Sequence, residues 1–161
     1  MKTLLLFLLF CSPAMARIGE TRAQCEARYG PAVSVRSEGE TTVHARAGFK
    51  VECSYFEGKC DCILFSKMPA SPGLEDLPLT EAEQKTLMEA NSGGKSWTQK
   101  AEKPEIRMKL WQCDGLLAAY DGGDHNLRVT TGAYAARLDA KWEADQAAKD
   151  KNGSKGNLQD F

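Results

Sequence analysis

The chain has 161 residues, with 21 basic and 22 acidic side chains and a formal net charge of −1 at neutral pH. Nucleic acids and anionic membranes attract basic surfaces, so this balance argues against both as partners. The length is typical of one domain, and a domain of this size buries about 68–70% of the surface that its unfolded chain exposes. It therefore needs neither a metal nor a disulfide to fold.

The N-terminus has the features of a secretory signal peptide. Lys2 supplies a positive start, residues 4–10 form an unbroken apolar run, and residues 14–16 have the small-x-small pattern of a cleavage site. Seven apolar residues are too few to span a bilayer, which needs about 20. We predict a signal peptide over residues 1–16, cleavage after Ala16, and export to the periplasm or the medium. Losing Lys2 leaves 20 basic against 22 acidic side chains, a net charge of −2.

Export favours disulfides, because thiols pair in oxidising compartments. Cys11 leaves with the signal peptide, and five cysteines remain: Cys25, Cys53, Cys60, Cys62 and Cys113. Five is an odd number, so at least one thiol is free or paired between chains. The alternative is that several of them are small buried hydrophobic residues.

The first structured stretch is a short helix. Thr21 and Gln24 fit a capping box, in which each side chain accepts a hydrogen bond from the other residue's backbone N–H. Gly30-Pro31 ends the helix, because Gly accepts the left-handed conformation and Pro cannot continue it. A strand over residues 42–47 follows.

Residues 49–65 are the most sharply patterned stretch and predict a β-hairpin. Its two-residue loop, Glu57-Gly58, suits the primed turns that match strand twist. This loop sets Cys53 opposite Cys62 with Cβ atoms about 4.5–5.5 Å apart, close enough for a disulfide. We predict Cys53–Cys62 as the best single pair. A second bridge is left open among Cys25, Cys60 and Cys113.

Alternation along the hairpin assigns its two faces. The cleaner apolar face, predicted to meet the core, holds Val51, Cys53, Tyr55, Cys60, Cys62 and Leu64. The mixed face contributes apolar side chains that, with one from a later strand, could form an exposed patch for a partner: Phe56, Ile63, Phe65 and Trp111. The alternative is that helices cover this patch.

The second half of the chain repeats the order of the first. Residues 68–78 form a linker with three prolines. Thr80 and Glu83 make a second capping box and open a helix that ends near Asn91. Alternation predicts a strand over residues 106–111, and Asp114-Gly115 is a second tight-turn signal.

Two more strands are predicted over residues 116–120 and 126–130, and a last helix over residues 132–150. Tyr134, Leu138 and Trp142 form one stripe on that helix. Residues 151–161 are rich in Gly, Ser and Lys and are predicted to be disordered.

These elements predict a single α+β domain over residues 17–150. Their order is helix, three strands, helix, three strands, helix. The simplest arrangement is an antiparallel sheet of about six strands with the helices packed on one face.

The chain resembles a group of small exported bacterial proteins of uncharacterised function, through GETRAQCEARYG, FEGKC, LTEAEQKTLMEANSGGKSW and LLAAYD…LRVTT. The likeness covers most of the mature chain. The capped helix that ends in Gly-Pro before a meander is also similar to beta-lactamase-inhibitor-like and outer-membrane-assembly lipoprotein domains. This resemblance implies a binding module and not an enzyme. Cys11 follows Phe10, where a lipid-attachment site has a small residue, so the resemblance implies no membrane anchor and no functional residue.

Three stretches offer chemistry that competes with structural roles. Cys53, Cys60 and Cys62 could form a thiolate metal or redox site, although the spacing is not that of a usual zinc motif. Residues 121–125 could bind a cation through carboxylates, but Asp and Gly are also what a hairpin turn needs. A hydrolase would need His44 or His125 beside Cys113 or a serine, and no motif ties them together. His44 lies at a polar strand position and is expected to be solvated.

We therefore expect an exported, non-catalytic domain that binds a protein or a cell-envelope component. We expect no cofactor, no metal, no nucleic acid and no membrane span. The alternative is a thiol-based metal or redox site at Cys53, Cys60 and Cys62.

Overall fold

A computed structural model describes residues 18–37, 40–71 and 73–153. The predicted signal peptide and its cleavage site after Ala16 lie outside these residues, as do residues 154–161 of the predicted tail. None of the described helices is both long enough and apolar enough to cross a membrane.

The described residues form three α-helices, a short 3₁₀ helix (Pro104–Ile106) and eight strands. The helices are α1 (Arg22–Tyr29), α2 (Glu81–Asn91) and α3 (Gly132–Gly153). The strands are β1 (Ser34–Arg36), β2 (Thr41–Arg46), β3 (Phe49–Phe56), β4 (Lys59–Lys67), β5 (Thr98–Lys103), β6 (Met108–Cys113), β7 (Leu116–Asp121) and β8 (Asn126–Thr131). Helix α3 runs three residues into the segment that was predicted to be disordered.

All the strands belong to one antiparallel sheet with the order β1-β2-β3-β4-β8-β7-β6-β5. Two meanders of consecutive strands thus meet at β4 and β8, and each meander follows a helix. The α+β class and the antiparallel sheet are confirmed, but the predicted number of about six strands is wrong. The two missed strands, β1 and β5, form the two edges of the sheet. They lack an apolar face, so no alternation of apolar and polar residues marked them in the sequence. An edge strand can be stable with polar side chains on both sides.

Both predicted capping boxes are present, at Thr21 and at Thr80. At the second, the backbone N–H of Thr80 donates to the Glu83 carboxylate at 2.8 Å, and the Glu83 N–H donates back to the Thr80 hydroxyl at 3.2 Å. These bonds satisfy N–H groups that have no partner inside the helix. The caps therefore fix where α1 and α2 begin.

Helices α1 and α2 lie on one face of the sheet and cover the main core. Its buried side chains come from both meanders and both helices: Cys25, Val51, Cys53, Cys60, Ile63, Phe65, Leu79, Met88, Ala118, Tyr120, Leu127 and Val129. Helix α3 lies on the other face, where Tyr134 forms a hydrogen bond with Cys62. The prediction that all helices pack on one face is therefore wrong for α3.

A β-bulge in β4 overturns the predicted register of the hairpin. Tyr55 pairs with Cys60 and Ser54 pairs with Cys62, which leaves Asp61 as an extra residue. An inserted residue reverses the alternation beyond it, because successive side chains point to opposite faces. Cys60 consequently faces the core and Cys62 the opposite face, and Cys53 pairs with Ile63. The predicted Cys53–Cys62 disulfide is therefore wrong.

Because of the same bulge, the four residues of the predicted partner patch do not lie together on the surface. Ile63 and Phe65 turn inward and are buried in the core, and Trp111 is half-buried against it. Phe56 stays on the surface, 48% exposed, with the Arg137 guanidinium carbon 3.9 Å from the centre of its ring. The four residues do not form one exposed surface.

The two phenylalanines of the hairpin should respond differently to truncation. Phe65 is 2% exposed, so we expect Phe65→Ala to lower the free energy of unfolding by about 3–5 kcal/mol. Phe56→Ala loses one exposed cation–π contact, worth about 0.5–1 kcal/mol. Urea unfolding of both variants compares the same truncation on the same hairpin. Equal losses would contradict the placement of Phe65 in the core.

Candidate thiol site

Three cysteines from three elements meet in the core. Cys25 lies on α1, Cys53 on β3 and Cys60 on β4, and their sulfur atoms all lie within 4.8 Å of one another. All three side chains are 0% exposed. We call these three residues the thiol cluster. The cluster is sealed from solvent, and its members can react only with one another unless the surrounding structure opens.

Local features of the chain bring each member to the cluster. The capping box at Thr21 begins α1 so that Cys25 faces the sheet. The turn at Glu57-Gly58 has positive φ at both residues, as a primed turn requires. The bulge at Asp61 then reverses the alternation of β4, so that Cys60, Ile63 and Phe65 all face the core.

The segment before α1 closes over the cluster. The Gly19 N–H donates to the carbonyl oxygen of Cys60 at 2.6 Å, and the Cys60 N–H donates to the carbonyl oxygen of Glu20 at 2.7 Å. Ile18 packs against the core, and Glu20 forms an ion pair with Arg28 at the end of α1. The start of the described chain is thus fastened to the strand that carries Cys60.

A chain of buried polar groups ends at the cluster. Nδ1 of His44 donates to the carbonyl oxygen of Gly30 at 2.8 Å, and Nε2 lies 2.9 Å from the Thr42 hydroxyl. Thr42 also contacts the Tyr55 hydroxyl at 2.8 Å, and Tyr55 forms a side-chain hydrogen bond with Cys25. Each group has a hydrogen-bond partner, as buried polar groups in proteins generally do, and this offsets the free-energy cost of burying it.

This polar chain corrects the expectation that His44 is solvated, since His44 is fully buried. Thr42 and His44 have the connectivity of a hydroxyl nucleophile and its base. Both side chains are fully buried, however, so no substrate reaches them. The pair is a structural link between α1 and β2.

Hydrogen bonds within the cluster shift the pKa values of the three thiols in different directions. Side-chain hydrogen bonding with Cys53 and Cys60 lowers the pKa of Cys25 below that of an ordinary thiol. The Cys60 S–H also lies within reach of the carbonyl oxygen of Cys62, at 3.5 Å. The pKa values of Cys53 and Cys60 are raised, in both cases chiefly by their hydrogen bond with Cys25. The cluster therefore carries one thiolate at most, and Cys25 is the first to ionise.

The other two cysteines lie apart from the cluster. Cys62 faces α3, where burial raises its pKa to about 11. Cys113 is buried at the end of β6. All five described cysteines are free thiols. The predicted site of Cys53, Cys60 and Cys62 is thus corrected by one member, with Cys25 in place of Cys62.

The segment of residues 121–125 is a turn, as its structural interpretation predicted. The Asp121 carboxylate accepts hydrogen bonds from the N–H groups of Gly123 at 2.7 Å and Asp124 at 3.2 Å. This side chain mimics a backbone turn, the usual role of Asp at such a position.

A cleft of about 720 Å³ opens between α2 and strands β5 and β6. Its walls include Met88, Trp97 and Trp111, with Lys109 at one side. The Trp97 indole N–H donates to the carbonyl oxygen of Met88 at 2.8 Å, which fixes that wall. Trp111 is the one residue of the predicted patch that lines this cleft.

No protein-family model matches the chain, and no curated protein is significantly similar to it. Among solved structures, the chain is similar to a cysteine-rich secretory protein from Staphylococcus aureus subsp. aureus Mu50, with 11% identity and a TM-score of 0.46. The match covers 74% of this chain and 46% of that protein. The chain thus spans less than half of that structure.

The reduced cluster should make stability depend on pH. The pKa values of Cys53 and Cys60 are raised in the folded state, so the unfolded chain loses these protons first as the pH rises. Each of these two thiols then lowers the free energy of unfolding by up to about 1.4 kcal/mol per pH unit above about pH 8.5. The contribution of Cys25 to this pH dependence has the opposite sign. Its lowered pKa stabilises the fold at pH values above the ordinary thiol pKa, and this stabilisation is lost as the pH falls.

Urea unfolding of the reduced protein between about pH 7 and pH 10 measures this dependence. We expect a shallower alkaline decline in Cys60→Ala than in the wild type. Cys113→Ala, which removes a buried thiol outside the cluster, is the matched control for the substitution itself. Identical slopes for wild type and Cys60→Ala would contradict the raised pKa of Cys60.

Proposed function

We propose that this chain is an exported, non-catalytic domain whose function is thiol-based, with the thiol cluster as its redox centre. One observation carries the proposal, namely that the sulfur atoms of Cys25, Cys53 and Cys60 lie within 4.8 Å of one another. In the oxidised state, two of the three form a disulfide between neighbouring elements. The third keeps its thiol and stays within reach of the bond.

A disulfide is compatible with the burial of this position. The cluster is fully buried, and a charge in a low-dielectric interior is costly unless it is paired. A disulfide is neutral, and it leaves the remaining thiol neutral as well. The oxidising compartment predicted from the signal peptide supports the same chemistry.

The reaction is a two-electron exchange. Two thiols of the cluster lose two protons and two electrons and form one S–S bond. The electrons reduce a disulfide of a thiol oxidoreductase or of a small thiol compound, whose two sulfur atoms take up the protons. Because the closed cluster is sealed, this exchange belongs to the state in which α1 has not yet docked on the sheet.

Chain entropy favours a bridge that includes Cys25. A bridge from Cys25 to Cys53 or Cys60 closes a loop of roughly 30–35 residues, which stabilises by about 3.5–4 kcal/mol in the chain-entropy account. A bridge between Cys53 and Cys60 closes a loop of roughly 8 residues and contributes about 2.5 kcal/mol. The two cysteines of the sheet also lie diagonally across β3 and β4, since Cys60 pairs with Tyr55 and not with Cys53.

Protein collected after export should contain one disulfide that includes Cys25. Alkylation before reduction, followed by non-reducing digestion and mass spectrometry, should show Cys25 linked to Cys53 or Cys60, with Cys62 and Cys113 alkylated. Reduction should then lower the unfolding free energy by about 3.5–4 kcal/mol.

The matched variants for this experiment are Cys25→Ala and Cys113→Ala. Cys25→Ala should reduce the difference between oxidised and reduced protein to at most about 2.5 kcal/mol, since only the short loop is left. Cys113→Ala should keep the full difference. Five alkylated thiols in the exported protein, or a link that includes Cys62, would refute the redox proposal.

A second candidate function is binding of a protein or envelope component in the cleft beside α2. The observation that favours it is the pair of tryptophans in the cleft wall, Trp97 and Trp111. Aromatic side chains at the centre of a concave surface often contribute much of the binding energy in protein interfaces. Lys109 and Glu81, which form an ion pair, line the same cleft.

Capture from an envelope extract tests this candidate. The immobilised wild-type domain should retain a specific partner, and Trp111→Ala should lose it while keeping a native circular dichroism spectrum. Trp142→Ala is the control, because Trp142 is 64% exposed on α3 and does not line the cleft. Equal retention by the two variants would rule the cleft out as the binding surface.

A further inference from the structure

We propose that the reduced thiol cluster binds one soft monovalent metal ion, and that Cu(I) is the ion it fits. This inference goes beyond the redox proposal, since it concerns what three thiols hold together when no disulfide is present. The proposal rests on three sulfur atoms, from α1, β3 and β4, that lie close together.

The spacing of the sulfur atoms suits one central ion. Metal–sulfur bonds on the order of 2.3 Å, as in zinc thiolates, place three ligands of a planar site about 4 Å apart. The three sulfur atoms already lie within 4.8 Å of one another. A contraction of less than about 1 Å therefore completes the geometry, which side-chain rotation can supply without moving the sheet.

The surroundings offer no fourth protein ligand within the described part of the chain. Both ring nitrogens of His44 are engaged, with Gly30 and Thr42, and Cys62 points to the other face of the sheet. The cluster is also sealed from water. Thiolate ligands suit both zinc and Cu(I), but structural zinc sites are almost always tetrahedral. Three ligands and no fourth thus favour Cu(I) over zinc.

The charge of the site is partly offset by its position. Cys25 is the fourth residue of α1 and lies in the N-terminal half of that helix, where the helix dipole favours negative charge. The Arg22 guanidinium carbon lies 5.4 Å from the centre of the Tyr55 ring, and Tyr55 contacts Cys25. Each thiol that coordinates releases its proton to solvent, so binding should strengthen as the pH rises.

Cu(I) is the probe for the experiment, carried out without oxygen on the fully reduced mature protein. Competition with the chromogenic Cu(I) chelator bicinchoninate should show one ion per chain. X-ray absorption at the copper edge should show three sulfur neighbours. Zinc, added under the same conditions, should be held more weakly than Cu(I).

Single-thiol variants identify the ligands. Cys53→Ser and Cys60→Ser should each weaken Cu(I) binding by more than roughly 100-fold, since losing a ligand exceeds the cost of losing an outer-shell contact. Cys62→Ser and Cys113→Ser should bind as the wild type does. Circular dichroism of each metal-free variant identifies any that fails to fold. Protection of the wild-type thiols from alkylation by bound Cu(I) tests the same ligands without substitution.

The proposal is wrong if reduced, folded wild-type protein takes no Cu(I) from the chelator. It is equally wrong if zinc binds more tightly, or if Cys62→Ser weakens binding as much as Cys60→Ser does. Alkylation of Cys25, Cys53 and Cys60 at the same rate with and without Cu(I) would also overturn it. None of these results bears on the disulfide, which is measured on oxidised protein.

Discussion

The structure depends on one inserted residue in β4. Asp61 has no partner on β3, so the alternation of side chains reverses between Cys60 and Ile63. This reversal turns Cys60, Ile63 and Phe65 toward α1 and α2 and leaves Cys62 facing α3. The Asp61 carboxylate forms an ion pair with Arg137, which ties the hairpin to α3. Bulges often redirect side chains where a particular arrangement is needed, and here the arrangement is the thiol cluster.

A cluster of three buried thiols is tolerated because its members bond to one another. Cys25 is hydrogen-bonded with Cys53 and Cys60, and the Cys60 S–H also reaches the carbonyl oxygen of Cys62. Tyr55 links Cys25 to the buried pair of Thr42 and His44. Such a network limits the interior to one negative charge, since a second thiolate would meet both repulsion and desolvation. Forming a disulfide removes even that charge. Burial is therefore compatible with both a hydrogen-bonded reduced state and a neutral oxidised state.

Local signals in the sequence predicted the local parts of the fold. Capping boxes at Thr21 and Thr80 and the turn at Glu57-Gly58 are short-range interactions, and all are present. The bulge could not be predicted, because residues 59–65 alternate equally well without it. Edge strands β1 and β5 were missed for lack of an apolar face. Only Cys53 and Cys60 of the cluster were predicted, since Cys25 joins them through tertiary packing and no spacing motif marks it.

The two halves of the chain share an architecture, but the thiol cluster and the cleft tryptophans come from different halves. The first helix and meander supply all three thiols, whereas the second supply the tryptophans of the cleft. The halves meet where β4 pairs with β8, and Phe65 of β4 lies directly opposite Leu127 of β8. Both side chains belong to the core that α1 and α2 cover. A disulfide that links α1 to β3 or β4 would therefore stabilise the same core on which α2 and its cleft are built.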